Sequence, residues 1–376
     1  MKYMSKLIGE GGFGCIFYPG IKCNGTTDKV MHNATKIQRQ DFNSKNESVV
    51  GSILKQLPSY PLFFLPVLSS CSIDLRKVTT SEIKKCKLIK NYKDDYVAMD
   101  LPFLHETKFI DIIQNKPANE IIMVLIETFQ YLLMGLEKLR QLNIIHYDLK
   151  IENVLFKYQT HEPIIIDFGI SIPLDRVNEK TMPNYFYVFL PEYYVWCLEI
   201  NIICYLLHET DSVLTEDEAL FIADLYVKHN KGLEGCTQSF KDTFLKQSIE
   251  QVKRYVKQPR TQVIQELLSH RHTWDNYSLS IMYLKLLQSF FSQFNIQHTF
   301  ITHLNTLLLI NIHPDPTKRL TIQETAERYS QIFYMDDDVN SYVELTKLFT
   351  KARQVTVSSI RADMNTLKSQ KNETSN

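Results

Sequence analysis

Five polar side chains have the types and the order needed to move a phosphoryl group: Lys36, Asp148, Lys150, Asn153 and Asp167. Asp148 can accept, or orient, the proton of an attacking hydroxyl. Asn153 and Asp167 offer hard oxygen atoms, the ligands that Mg²⁺ prefers. Lys150 can neutralise charge that builds on a transferred group. Ahead of them, Gly9-Glu10-Gly11-Gly12-Phe13-Gly14 spells G-x-G-x-x-G, and four of the 11 glycines fall within residues 9–14. Such a run opens a dinucleotide fold when a helix follows and covers phosphates when it joins two strands. Cys15-Ile16-Phe17-Tyr18-Pro19 follows, a strand-like run ending in proline, so the second use is favoured.

These residues need elements to hold them. Alternation predicts two strands over 3–18, a third over 31–38 and further strands over 62–74 and 94–101. Helical spacing is confined to 44–57, with Ser44 as N-cap and Pro58 as the stop. From Asn119 the pattern turns helical: 119–142, then, after a strand-and-turn region over 144–170, 196–209, 215–228, 238–254, 278–294 and 298–310. Residues 335–376 are polar and are expected to be partly disordered. The fold class is therefore α+β, strand-rich first and helical later.

Composition removes several alternatives. The 376 residues carry 42 basic and 42 acidic side chains, so no global charge drives the chain onto nucleic acid or membrane. Residues 76–93 hold seven bases against Glu82 alone, which reads as a solvated hairpin. No apolar run reaches the ~18 residues of a membrane span. Met1–Glu10 shows no signal-peptide hydrophobic region, so no secretory leader is expected. The seven cysteines show no C-x-x-C or zinc spacing, so reduced thiols are expected, and the Asn-x-Ser/Thr triplets at Asn24, Asn33 and Asn46 are read as chance.

His146-Tyr147-Asp148-Leu149-Lys150-Ile151-Glu152-Asn153 resembles the H-R-D-L-K-x-x-N loop of eukaryotic-type protein kinases, and Asp167-Phe168-Gly169 resembles their D-F-G. Leu190-Pro191-Glu192 looks like the A-P-E that closes the activation segment. Asp315-Pro316-Thr317-Lys318-Arg319 looks like the late segment whose arginine pairs with that glutamate. The resemblance spans about residues 5–330. It implies the two-lobed kinase fold, with an N-lobe over 1–99, a hinge at 100–103 and a C-lobe over 104–334. The cofactors implied are ATP and Mg²⁺. Asp148 and Lys150 become catalytic, and Asn153 and Asp167 become metal ligands. Gly9, Glu10, Gly11, Gly12, Phe13, Gly14, Ile16, Ala34, Lys36, Glu47, Met99, Asp100, Pro102 and Leu155 become nucleotide contacts, with Glu47 holding Lys36. Met99 backs the adenine pocket, the Asp100 main chain accepts from the adenine, and Pro102 lacks the N–H that would donate to it. Gly11 to Phe17, Ile21-Lys22-Cys23, Tyr60 to Phe64 and Pro191 to Trp196 look like kinases of large nucleocytoplasmic DNA viruses. That narrower resemblance implies a Ser/Thr kinase of the infected cytoplasm, or of virions, acting on protein hydroxyls.

The departures matter as much. Tyr147 replaces the loop arginine that would bind an activation-loop phosphate, so activity is expected without that phosphate. The threonine that should touch the catalytic aspartate and lysine has Tyr185 as its nearest counterpart. Tyr194 stands where a helix aspartate should tie down the catalytic loop, with Glu199 the nearby acid. Gly51 leaves a gap in the apolar stack beside Phe168. Two rival readings stay open: a nucleotide-binding scaffold in the same shell, and a phosphotransferase for small alcohols. The substrate and the oligomeric state are left open.

Overall fold

The computed structural model describes residues 4–332 apart from 27–32, 115, 117, 211–212 and 292–298, so the tail expected over 335–376 lies outside the described residues. The described chain divides into two compact units, one running to Lys108 and resuming over Leu155–Ser171, the other covering Phe109–Val154 and continuing from Ile172. The strand-rich unit and the mostly helical unit are the two lobes of a protein-kinase fold.

The first unit is built on a five-stranded antiparallel sheet in the order β1-β2-β3-β5-β4. The strands are β1 (Lys6–Glu10), β2 (Gly14–Tyr18), β3 (Asn33–Arg39), β4 (Ser69–Ile73) and β5 (Tyr96–Pro102). The glycine run joins β1 to β2, with Glu10 opposite Cys15, as its strand-like flanks require. Successive side chains alternate between the two faces. Cys15, Phe17, Ile37, Tyr96 and Ala98 bury one face against Leu75, Ile83 and Cys86. Val97, Met99 and Leu101 cluster with Val67 on the other. Lys36 lies opposite Met99 and Ala34 opposite Leu101, which sets both residues on that second face. The basic run forms two 3₁₀ turns, Leu75–Lys77 and Ser81–Lys85, rather than the expected hairpin, and its basic side chains stay exposed while Leu75, Ile83 and Cys86 are buried.

Helix α1 (Phe42–Leu54) starts earlier than expected. Its N-cap is Asp41, with Ser44 at N3 completing a reciprocal capping box. The strand expected over 62–74 is only β4, because Tyr60–Phe63 forms a short helix, α2, with Pro61 in its first turn, where a missing N–H costs nothing. Four of the cysteines overturn the expectation of reduced thiols: Cys15 is bonded to Cys86 and Cys23 to Cys71. Separations of 71 and 48 residues hide both pairs from any spacing rule, and the sheet brings them together. Cys197, Cys204 and Cys236 are free.

The second unit is helical: α3 (Phe109–Ile113), α4 (Ala118–Gln141), α5 (Met182–Tyr185), α6 (Leu198–His208), α7 (Glu216–Lys228), α8 (Gln238–Lys253), α9 (Arg260–Ser269), α10 (Trp274–Phe291), α11 (Thr299–Asn311) and α12 (Ile322–Ile332). The periodicity missed α9 and α12 and started α10 four residues late. No described helix is long and apolar enough to cross a membrane.

Gly51 has a packing reason. A Cβ there would sit 2.7 Å from the Val67 carbonyl oxygen, so the glycine lets α1 approach the chain before β4. The apolar partner of Phe168 is instead Phe64, edge-on at 5.9 Å. Gly51→Ala would gain up to about 1 kcal/mol of helix propensity. The overpacking should cost about 1–3 kcal/mol, and it should win. A lower urea midpoint is expected for Gly51→Ala, and an unchanged or higher midpoint would contradict this packing.

Candidate active site

The sheet unit assembles one cluster around Lys36. β3 carries its ammonium to Glu47 Oε2 on α1 at 2.8 Å and to Asp167 Oδ1 at 3.1 Å. Burial opposes the charge on Lys36, but the two carboxylates outweigh it and raise its pKa, so the lysine stays protonated. Asp167 has φ of 65°, a left-handed conformation that a non-glycine residue holds only when its surroundings enforce it. Asn46, which sequence reasoning passed over, is one enforcing group. From α1 its amide donates to the carbonyls of Gly169 (3.0 Å) and Ser171 (2.7 Å), so one helix holds both Lys36 and the strand-end turn.

Other expected nucleotide contacts in this unit are positioned by the same sheet. Gly11 N–H donates to the Gly14 carbonyl at 2.9 Å, closing the turn that Gly9, Glu10, Gly12 and Phe13 share. Gly14 could not be replaced freely, since a Cβ would meet the Ile37 carbonyl oxygen at 2.8 Å. Met99 and Ala34 are buried, while Ile16 and Leu155 are half-buried. The residues expected as a hinge continue directly from the sheet. β5 continues through Pro102, which pairs with Asn33, so residues 100–102 are still sheet. The Asp100 carbonyl accepts from Leu68 N–H at 2.8 Å and its carboxylate from the Ser69 hydroxyl at 2.9 Å. The Asp100 carbonyl thus serves the sheet ladder with one of its two lone pairs.

The helical unit assembles the second cluster around Asp148. Lys150 Nζ lies 2.9 Å from Asp148 Oδ1, and Asn153 Nδ2 donates to Asp148 Oδ2 and to its carbonyl, both at 2.9 Å. With its NH₂ turned to Asp148, Asn153 keeps its carbonyl oxygen as the atom able to take a metal. The loop is anchored from below by Asp275, a buried carboxylate near the start of α10. Its two oxygens accept from the main-chain N–H groups of His146 (2.8 Å) and Tyr147 (3.1 Å). Burial pushes the Asp275 carboxyl up; His146 and those two donors pull it back.

Three expectations in this unit are corrected. The tie-down aspartate is Asp275, not Tyr194 or Glu199, because α7, α8 and α9 come between α6 and α10. The partner of Arg319 is Glu199, not Glu192, which is exposed. Glu199 also accepts from Trp274 Nε1 at 3.2 Å. A lone glutamate in the apolar run of α6 was the available signal, since a buried carboxylate needs a cation. The hydroxyl that meets Asp148 belongs to Tyr193, not Tyr185. Tyr193 Oη donates to Asp148 Oδ1, and Lys150 Nζ donates to Tyr193 Oη at 2.7 Å. Tyr185 is buried at the end of α5.

Tyr147, in place of an arginine, points into the core. Its ring lies 4.8 Å from that of Trp196 and edge-on to Phe186 at 5.8 Å. Trp196 Nε1 returns a bond to the Tyr147 carbonyl at 2.9 Å. The segment before α6 is thus docked by aromatic contact.

The profile of the protein kinase domain matches residues 66–193. The chain is 27% identical over 171 residues to the membrane-associated tyrosine- and threonine-specific cdc2-inhibitory kinase of Drosophila melanogaster, covering 46% of this chain and 28% of that protein. It is 27% identical over 79 residues to the cell division cycle 7-related protein kinase of Homo sapiens, covering 21% of this chain and 13% of that protein. The chain thus spans less than a third of the length of the curated relatives it matches. These likenesses support a eukaryotic-type protein kinase.

The reassigned ion pair is directly testable. Arg319→Met leaves Glu199 buried without its cation, an imbalance worth about 3–5 kcal/mol. Glu192→Gln, at an exposed position, should stay within about 0.5 kcal/mol of the parent. Urea melts of the two variants should differ accordingly, and a larger loss in Glu192→Gln would restore the original pairing.

Proposed function

We propose that the chain is an ATP- and Mg²⁺-dependent serine/threonine protein kinase. The observation that carries this reading is the bonding of Lys36 to both Glu47 and Asp167, which sets a charged ammonium where a nucleotide phosphate can take it. Lys36 then holds phosphate oxygens, with Glu47 fixing its direction. Asp167 and the Asn153 carbonyl oxygen are suited to Mg²⁺, which when bound offsets phosphate charge and orients the transferred group. The turn at Gly9–Gly14 covers the phosphates with main-chain N–H groups. Asp148 takes the proton of the incoming hydroxyl, and Lys150 stabilises the charge on the moving phosphoryl. The wording of the loop around Lys150 favours serine and threonine acceptors on a protein. The resemblance to kinases of large DNA viruses supports a site of action in an infected cell's cytoplasm or in virions.

The test is transfer of labelled phosphate from Mg²⁺-ATP to a serine/threonine peptide library. Asp148→Asn should lower turnover by about 10²–10⁴-fold while ATP binding, followed by fluorescence, is kept. Undiminished turnover in that variant would remove Asp148 from its role, and ATP binding without transfer in the parent would favour a scaffold. Thr181→Ala should keep turnover within about twofold, because phosphorylation orders such loops through arginine pairs and Tyr147 offers none. Loss of turnover there would show that the aromatic docking is insufficient.

A further inference from the structure

The two disulfides of the sheet unit sit in opposite surroundings. Cys15 and Cys86 are closed off from solvent, at 0% and 2% exposure, in the apolar cluster of Phe17, Ile37 and Tyr96. Cys23 is exposed, and its partner Cys71 is half-buried. Cys23 lies on the chain after β2, and Cys71 lies in β4, the outer strand of the sheet. The segment around Cys23 is held at both ends. Ile21 N–H donates to Thr35 Oγ1 at 2.9 Å, and Thr79 N–H donates to the Gly25 carbonyl at 3.1 Å. Between those points the bridge is its covalent tie to β4.

The bridge also walls a cleft of about 430 Å³, whose lining includes Lys22, Cys23, Asn24, Ser70, Cys71 and Asp100. Small-molecule sites run from about 300 to 1,000 Å³. Cys71 opposes Ala98, and alternation sets Ala98 and Asp100 on the face away from Met99 and Lys36. The cleft is therefore separate from the cluster around Lys36. Exchange at a disulfide needs a thiolate with access to one sulfur and a second sulfur that can leave. Cys23 gives the access, and the charge of Lys22 favours the approach of a thiolate.

We propose that the Cys23–Cys71 bridge is a site of reversible modification by a small thiol that enters this cleft. The step involves no nucleotide and is independent of the kinase activity. The thiolate sulfur bonds to Cys23 Sγ, the bond from Cys23 to Cys71 breaks, and Cys71 leaves as a thiolate that takes a proton from water. A second thiolate then removes the first from Cys23 as a small-molecule disulfide. Two thiols are oxidised and the bridge is reduced. Cys15–Cys86 stays closed, because its sulfurs are reached only when the core opens. Ile21–Thr26 is released from β4, while Thr35 and Thr79 keep its ends.

The test uses the full chain, equilibrated with oxidised glutathione and then desalted. Reduced glutathione is added without denaturant, thiols are trapped with iodoacetamide over time, and peptides are mapped by mass spectrometry. Glutathione on Cys23 with the alkyl label on Cys71 is expected first. Both should appear at least about 10³-fold faster than label on Cys15 or Cys86, the low end of the cost of opening a folded core. Cys71→Ser lacks the resolving thiol and should still carry glutathione on Cys23 after the desalting step, where the parent carries none. Equal rates at the two bridges would overturn the choice of site. Glutathione on Cys71 instead of Cys23 would overturn the direction of attack. A bridge that fails to form with oxidised glutathione, or that reacts only once denaturant is added, would overturn the proposal as a whole.

Discussion

A carboxylate with no access to water is tolerated only when donors converge on it. Asp275 meets that condition with two consecutive main-chain N–H groups, and the loop from His146 to Asn153 takes its shape from them. Holding both His146 and Tyr147 leaves Tyr147 at φ of 70°. That turn sends its ring into the core and leaves Asp148 facing Lys150, Asn153 and Tyr193. The same helix reaches the segment before α6, since the Ser278 hydroxyl donates to the Val195 carbonyl at 2.7 Å. α10 thus supports both the loop that bears Asp148 and the segment that bears Tyr193.

A second buried charge pair organises what surrounds that helix. Glu199 lies in the first turn of α6, Arg319 follows the 3₁₀ turn Pro316–Lys318, and the two are 120 positions apart. Inside that interval α7, α8 and α9 are inserted before α10 begins, yet the anchor survives the insertion. Burying both ions is costly, so the pair contributes less to stability than to fixing which segments meet. The sheet unit repeats the theme with Lys36, whose two carboxylate partners come from a helix and from the turn after a strand.

What could be read in the sequence was what short-range chemistry encodes. The glycine run, β3 with Lys36, the loop from His146 to Asn153 and the turn at Asp167 were placed within a few residues, because glycine, proline and alternation act locally. Partner choice across long separations could not be read. The resemblance paired Arg319 with Glu192, and burial within α6 selects Glu199 instead. Tyr185 and Tyr193 likewise differ by where the chain turns, not by type. Asp275 was hidden because α10 was expected to begin at 278, after the residue that matters. The cysteine pairs failed for a related reason: a sheet register, not a spacing, sets Cys15 against Cys86.

The docking of Tyr147 has a consequence for how the protein answers to its solvent. An arginine holding a phosphate is a contact between full charges, and mobile ions weaken it over a Debye length of about 10 Å at 0.1 M salt. Tyr147 holds Trp196 and Phe186 by apolar contact in a site nearly closed to water. Strongly hydrated ions such as sulfate strengthen such burial, whereas guanidinium weakens it. The segment around Trp196 is therefore fastened in a way that charge screening alone does not loosen.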